Sequence, residues 1–175
     1  KSIEYQEKSI DISSPWERLT VAEAFGKYAN VNLDNVADDD TFFKIFLTHI
    51  EPNLGQEKPT ILYEYPASMA SLARLKPSPS PLPKGEGGWQ PGEGKYAERF
   101  EVYIAGIELG NAFSELNDGK EQRRRFMEEG ALRKKLGKAE IPLDEDFLDA
   151  VGHMPLSAGI AFGIDRLVML LTNSA

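Results

Sequence analysis

The segment from residue 98 to residue 118, ERFEVYIAGIELGNAFSELND, restricts the possible folds of this chain more than any other part of it. Polar and apolar residues alternate on both sides of Ala105-Gly106, which is typical of two half-buried strands joined by a tight turn. We therefore predict strands over residues 99–104 and 107–115. A two-stranded hairpin is marginally stable alone, so further elements must cover at least one of its faces.

The rest of the chain supplies both helices and strands. Thr20-Val21-Ala22-Glu23 has the spacing of a capping box, and Phe42, Phe43 and Phe46 recur at helical spacing as expected core residues. The patterns predict helices over 21–28, from 38–40 to about 50, over 117–136, 144–151 and 164–172, and further strands over 60–65 and 157–163. Regular βαβ alternation is missing, which favours an α+β fold with an antiparallel sheet flanked by helices.

Residues 76–94 differ from the remainder in composition. This stretch holds five of the 11 prolines and five of the 15 glycines. Such a segment has few apolar groups to offset the entropy of ordering, so it is predicted to be a long mobile loop inserted between two structured elements. The alternative is a polyproline ligand for a partner.

Composition excludes several classes of site. A length of 175 residues suits one domain. The absence of cysteine and the presence of only two histidines exclude disulfides, thiolate catalysis and metal sites built from cysteine or several histidines. A net charge of −8 argues against broad nucleic-acid binding. The polar start and the lack of a long apolar run predict a cytoplasmic protein without a membrane segment.

The predicted hairpin places acidic residues on one face. With a two-residue turn, Tyr103 pairs with Glu108, so Glu101 and Glu108 become diagonal neighbours. A cysteine-free pair of carboxylates suits Mg²⁺, which is commonly shared with substrate phosphates. A bulge at Gly110 would bring Asn111, Phe113 and Glu115 to the same face. A solvent-exposed acidic face explains the spacing equally well.

A second group of residues lies near the C-terminal end. Gly159, Ala161 and Gly163 share one face of a predicted strand and leave it nearly bare, so a flat ligand or a helix could approach closely. Arg166 falls in the first turn of the following helix, where a guanidinium and free backbone N–H groups together form an anion site. The alternative is that the small residues only admit a packing helix and that Arg166 pairs with a carboxylate.

Taken together, these segments resemble a known family. ERFEVYIAGIELGNAFSELND followed by GIAFGIDRLVMLL resembles the C-terminal catalytic region of class II lysyl-tRNA synthetases. PWERLTVAEAF, EPNLGQEKPT and YPASMASLA are similar to the paralogous branch that modifies elongation factor P with (R)-β-lysine. The resemblance covers nearly the whole chain outside residues 76–94. It implies that residues 1–175 are the C-terminal part of a class II catalytic domain.

The resemblance also implies a mechanism and roles for residues. ATP and Mg²⁺ would activate lysine or β-lysine as an adenylate. The implied metal ligands are Glu101 and Glu108. The implied ATP-binding residues are these two with Gly163 and Arg166, of which Arg166 and Glu108 are the implied catalytic residues. The implied substrate-binding residues are Asn111, Phe113, Glu115, Gly159 and Ala161, with Glu115 as counter-charge to an ammonium group.

Three hypotheses remain for what the full-length protein does, and two of them differ in the acceptor of the activated amino acid. The preferred one is transfer to a lysine of elongation factor P, because Ala161 stands where ordinary lysyl-tRNA synthetases usually have glycine, and a single methyl group can change discrimination by about 1–3 kcal/mol. The alternatives are a fragment of a true lysyl-tRNA synthetase that charges lysine tRNA, and a non-catalytic remnant that serves as a binding module. The two upstream class II motifs are not found in these residues, so the chain alone is expected to be inactive. A homodimer is possible for the full-length protein.

Overall fold

The computed structural model describes residues 1–76 and 94–174, which form seven strands and five α-helices within those ranges. In chain order the elements are β1 (Ser2–Tyr5), β2 (Lys8–Asp11), β3 (Glu17–Thr20), α1 (Val21–Ala24), α2 (Asp39–Ile45), β4 (Thr60–Tyr63), β5 (Arg99–Ile104), β6 (Ile107–Ser114), α3 (Gly119–Lys135), α4 (Glu145–His153), β7 (Ala158–Phe162) and α5 (Ile164–Thr172). Wider helical turns extend α1 through Phe25–Ala29 and α2 through Phe46–Ile50.

Five strands form one sheet in the order β3-β4-β5-β6-β7. The neighbours pair antiparallel except for β3 and β4, which are parallel, while β1 and β2 form a separate hairpin. The predicted α+β fold is confirmed. The parallel pair and the N-terminal hairpin were not predicted, because each of these strands has only four residues and too short an alternating pattern.

The larger core lies between the sheet and the first two helices. The capping box at Thr20 and Glu23 starts α1, and Asp38 caps α2 by accepting a hydrogen bond from the Thr41 N–H. Phe25 and Phe42 pack with their ring centroids 4.8 Å apart. They are buried against strand residues of one sheet face, namely Leu62 and Tyr103.

The prediction that all three phenylalanines of α2 belong to the core was wrong for one of them. Phe42 and Phe46 are buried, whereas Phe43 is 50% exposed. Phe42 and Phe46 are four positions apart and share one face of the helix, whereas Phe43 is rotated from Phe42 by about 100° and lies beside the stripe that packs on the sheet. Phe43 instead lies at the rim of a cavity described below.

A smaller core covers the opposite face of the sheet at the hairpin end. Ile104 and Leu109 of the hairpin pack there against Tyr5, Ile10 and Leu170. The turn itself is as predicted, since Ala105 and Gly106 both have positive φ, at 55° and 75°. The β1–β2 hairpin and α5 therefore hold the tip of the β5–β6 hairpin in place.

Two further sequence predictions concern helix ends and the proline-rich stretch. The fourth helix was expected to stop at Gly152 but continues to His153, because a single glycine weakens a helix without ending it. The predicted loop over 76–94 lies almost wholly outside the described residues. No helix within the described ranges is both long and apolar enough to span a bilayer.

Candidate functional site

A bulge in β6 aligns the acidic residues of the hairpin. Val102 pairs with Gly110 and Tyr103 pairs with Glu108, so Leu109 is the extra residue on β6. Past this point Glu101 pairs with Asn111. From the sequence, a bulge at Gly110 was one way to align these residues, and the structure has one there. Its effect is that Glu108 and Asn111 project from the same face as Glu101.

Glu101 is the most enclosed charged group on that face. Its side chain is 5% exposed, and its carboxylate accepts hydrogen bonds from Arg99, Asn111, Tyr65 and Tyr103. The Asn111 bond to Oε1 is 2.9 Å and the Tyr103 bond to Oε2 is 2.5 Å. Burial and the neighbouring charges raise the pKa of both tyrosine hydroxyls well above the usual range, so both remain protonated donors.

Glu108 and Glu51 are the more open carboxylates of the site. Burial raises the pKa of Glu108 above the ordinary 4.5, the negative charge of Glu101 raises it further, and Arg166 and Arg99 act in the opposite direction. Glu51 follows α2 directly, and burial followed by the charge of Glu101 raises its pKa as well. The charge of Glu101 therefore makes ionisation of both neighbouring carboxylates less favourable.

These residues line a cavity of about 400 Å³ between the sheet and the helix that begins at Asp39. Of the predicted site residues, Glu101, Glu108 and Asn111 line it. The apolar wall includes Phe43 and Leu47, which are 50% and 57% exposed. The cavity thus has an acidic floor and an apolar rim.

The remaining predicted residues continue along the same sheet face without lining this cavity. In the register of β6 and β7, Asn111 pairs with Ala161 and Phe113 pairs with Gly159. A Cβ atom on Gly159 would lie 2.6 Å from Oε1 of Glu115, so a side chain there would require that carboxylate to move. Gly163 follows β7 and precedes the first turn of α5.

Arg166 connects α5 to the hairpin. Its Nη1 atom donates a hydrogen bond of 2.7 Å to the backbone carbonyl of Glu108 and lies 4.0 Å from that residue's carboxylate. The guanidinium remains half exposed, at 53%. A cationic group therefore stands beside the acidic cavity and keeps donors free for an anion.

Comparison with known proteins agrees with this architecture. The family model for class II tRNA synthetases of the D, K and N type matches residues 1–175. The chain belongs to this family.

Individual relatives are also similar. The chain is 42% identical over 148 residues to the elongation factor P–(R)-β-lysine ligase of Proteus mirabilis, an alignment covering 81% of this chain and 41% of that protein. It is 41% identical over 152 residues to the ligase of the same name from Edwardsiella ictaluri, covering 83% of this chain and 42% of that protein. The chain thus spans about two fifths of the length of these relatives.

Three residues that the fold brings to this cavity were not assigned from the sequence. Tyr65, Arg99 and Glu51 all line the cavity. Glu51 comes from the segment after α2 and Tyr65 from the segment after β4, whereas Arg99 starts β5. Only Arg99 had a local signal, because it precedes Glu101 by two positions on a strand and therefore shares its face.

The fit of a magnesium ion to this site differs between the two predicted ligands. Among the described residues, the carboxylate of Glu108 forms an ion pair with Arg166 alone, at 4.0 Å, so it can bind a cation. Glu101 already accepts four hydrogen bonds, and a cation would have to replace one of those donors. Across residues 1–76 and 94–174, no three acidic or histidine side chains are grouped closely enough to hold a metal by themselves.

Proposed function

We propose that this chain is the C-terminal part of a ligase that activates lysine or β-lysine with ATP and transfers it to a lysine of elongation factor P. The observation that carries the proposal is the arrangement of an acidic cavity, the cationic Arg166 and a bare glycine-rich strand on one sheet face. Membership of the class II family and the printed name of the relatives support the same reading.

The structure has a charged group for each of the two proposed substrates, the amino acid and ATP. The carboxylate of Glu115 beside Gly159 is the counter-charge for the ammonium of a lysine-type side chain. Arg166 binds the ATP phosphates with the donors that the Glu108 carbonyl leaves free. The bare strand of Gly159, Ala161 and Gly163 provides the floor on which both substrates lie.

The proposed reaction has two steps, formation of the adenylate and transfer of the amino acid to the acceptor. The amino-acid carboxylate oxygen attacks the α-phosphorus of ATP, and the bond to pyrophosphate breaks, which yields the aminoacyl adenylate. The amine of the acceptor lysine then attacks the adenylate carbonyl and AMP leaves, so an amide bond forms. A magnesium ion near Glu108 would supply charge neutralisation on the phosphates. Arg166 stabilises the negative charge that develops on the phosphates.

The direct test is pyrophosphate release by the full-length protein. α-Lysine and β-lysine are each supplied with Mg²⁺-ATP, followed by elongation factor P or lysine tRNA as acceptor. The proposal expects pyrophosphate release with a lysine-type substrate and transfer to the protein acceptor. Transfer to tRNA alone would identify a tRNA-charging enzyme, and no release with either amino acid would reject the ligase function.

The methyl group of Ala161 is expected to determine which amino acid is preferred. Its partner in the register is Asn111, so the Cβ projects toward the predicted amino-acid pocket. We expect Ala161→Gly to raise kcat/KM for α-lysine relative to β-lysine by about tenfold or more, because the variant enlarges the pocket by one methyl group. Steady-state kinetics with both substrates measure this ratio.

Ala158→Gly is the matched control for that measurement. Ala158 lies on β7 as well but faces the opposite side of the sheet, where it is exposed. This variant should leave the preference unchanged. If both variants shift the ratio equally, flexibility of the strand and not pocket volume determines the preference.

The raised pKa of Glu108 predicts how pH affects nucleotide binding. A carboxylate binds a cation only when ionised, so binding is present above its pKa and lost as the pH falls through it. Because burial and Glu101 raise this pKa, Mg²⁺-ATP binding should weaken at a pH above the ordinary 4.5 of glutamate. Calorimetric titrations between about pH 5 and pH 8 measure the effect. A Glu108→Gln variant with the same pH dependence would refute this origin.

A further inference from the structure

The hydrogen bonds of Glu101 saturate its carboxylate. A carboxylate offers about four lone-pair positions on its two oxygens. Arg99 and Asn111 donate to Oε1, while Tyr65 and Tyr103 donate to Oε2. The residue is 4% exposed, so little of the carboxylate is open to solvent that could replace a donor. Displacement of any of the four would leave a buried polar group without a partner, which is costly.

Arg99 extends this network to the predicted amino-acid pocket. Its Nη1 atom donates to the carbonyl of Met69 at 2.9 Å, and its Nε atom donates to Oδ1 of Asn111 at 3.3 Å. The guanidinium carbon also lies 4.4 Å from the ring centroid of Tyr65 and 5.5 Å from that of Phe113. Arg99 therefore contacts, through one rigid plane, two of the residues assigned to the substrate.

We propose that Glu101 and Arg99 are a positioning pair that holds Asn111 and Phe113 in the geometry of the amino-acid pocket, and that Glu101 is not a metal ligand. The carboxylate of Glu101 fixes the guanidinium, and the guanidinium in turn fixes the orientation of the Asn111 amide and the Phe113 ring. Glu108 is then the carboxylate of the hairpin that faces the cation. The positioning role rests on the proposed function, because that function supplies the identity of the amino acid. The claim that Glu101 is not a metal ligand does not depend on it.

The metal-binding part is tested with Mn²⁺ as a spectroscopic probe. Binding of Mn²⁺ to the full-length protein with ATP is measured by electron paramagnetic resonance for the wild type, Glu101→Gln and Glu108→Gln. We expect Glu108→Gln to weaken Mn²⁺ binding about tenfold or more. Glu101→Gln should change it less than about threefold. Equal losses in both variants would overturn the proposal, because they would make Glu101 a ligand.

Tyr103→Phe gives a second measurement that does not depend on removing the charge. This change removes one donor to Glu101 and keeps the ring. If Glu101 were a ligand, the freed lone pair would tighten Mn²⁺ binding. The proposal expects unchanged Mn²⁺ binding in this variant, and a clear gain in affinity would contradict it.

The positioning part is tested by amino-acid binding without metal or nucleotide. Calorimetry with the substrate amino acid should show a loss of about tenfold or more in both Glu101→Gln and Arg99→Met. Arg99→Lys, which keeps the charge but not the planar contacts, should recover only part of the affinity. Glu128→Gln, on the exposed surface of α3, should bind the amino acid like the wild type. Unchanged binding in Glu101→Gln and Arg99→Met would overturn the positioning role.

Two controls separate this inference from the proposed function and from misfolding. Thermal melting of each variant identifies any that fail to fold, and a double-mutant cycle of Arg99→Met with Glu101→Gln on the melting temperature measures their coupling without any ligand. Strictly additive shifts would refute the pair. If the wild type binds no lysine-type amino acid, the proposed function fails, while the Mn²⁺ measurements and the cycle still decide the inference.

Discussion

Arg166→Ala should reduce adenylate formation by the full-length protein about a hundredfold or more, with little loss of folding stability. The guanidinium is half exposed and makes one short hydrogen bond, to the carbonyl of Glu108. In the proposed reaction its remaining donors contact phosphate oxygens, and the removal of one fixed donor to a developing negative charge typically costs two to three orders of magnitude, ~10²–10³. Exchange of labelled pyrophosphate into ATP measures the step directly.

Arg123→Ala is the matched control for charge and side-chain size. Arg123 is an exposed arginine on α3 and pairs with Glu145, with Nη1 to Oε1 at 2.9 Å. The control should retain activity within about twofold, because this surface ion pair contributes little. A loss of less than tenfold in Arg166→Ala would show that other groups bind the phosphates.

Gly55→Ala should destabilise the fold by about 3 kcal/mol, through a left-handed backbone and a backbone clash. Gly55 has φ of +69°, and a Cβ atom there would lie 2.5 Å from the carbonyl oxygen of Tyr103 and 2.7 Å from Cα of Ile104. Its own carbonyl accepts the Ala105 N–H at 2.8 Å. The segment after α2 is therefore pressed against the β5–β6 hairpin at this glycine. Denaturant unfolding of the full-length protein measures the loss.

Gly130→Ala tests whether the effect is specific to that contact. Gly130 lies within α3, and an added Cβ would meet nothing within 4 Å. Here alanine should stabilise the protein by about 0.5–1 kcal/mol, since it favours the helix over the unfolded chain. A destabilisation similar to that of Gly55→Ala would mean that the close approach to Tyr103 is not its cause.

The hairpin shows how much of the fold was predictable from sequence. Its two strands and the turn at Ala105-Gly106 were predicted and are present, and the bulge beside Gly110, which the sequence offered as one possibility, is present as well. These features depend on neighbours within a few residues, so the alternation and the glycines specify them locally. The same holds for the helix starts at Thr20 and Asp38, whose caps are formed within four residues.

Features that depend on distant segments were not predictable in the same way. β3 consists of four residues and exists because it pairs in parallel with β4, more than 40 positions away. Tyr65 and Glu101 are 36 residues apart and meet only because β4 and β5 are neighbours in the sheet. Phe43 belongs to the same apolar pattern as Phe42 but lies at the cavity, because the sheet covers only one side of α2.

For the candidate site, the sequence alone determined which residue types stand on one face: the acidic pair Glu101 and Glu108, the bare strand at Gly159 and Ala161, and Arg166 in a first helical turn. Strand periodicity and helix starts specify such placements because they are local. The tertiary structure decided how these groups differ. Four donors from separate segments enclose Glu101, while Glu108 stays open beside Arg166. The reason is physical: whether a carboxylate can bind a ligand depends on burial and on the donors around it, and both arise only when distant segments pack together.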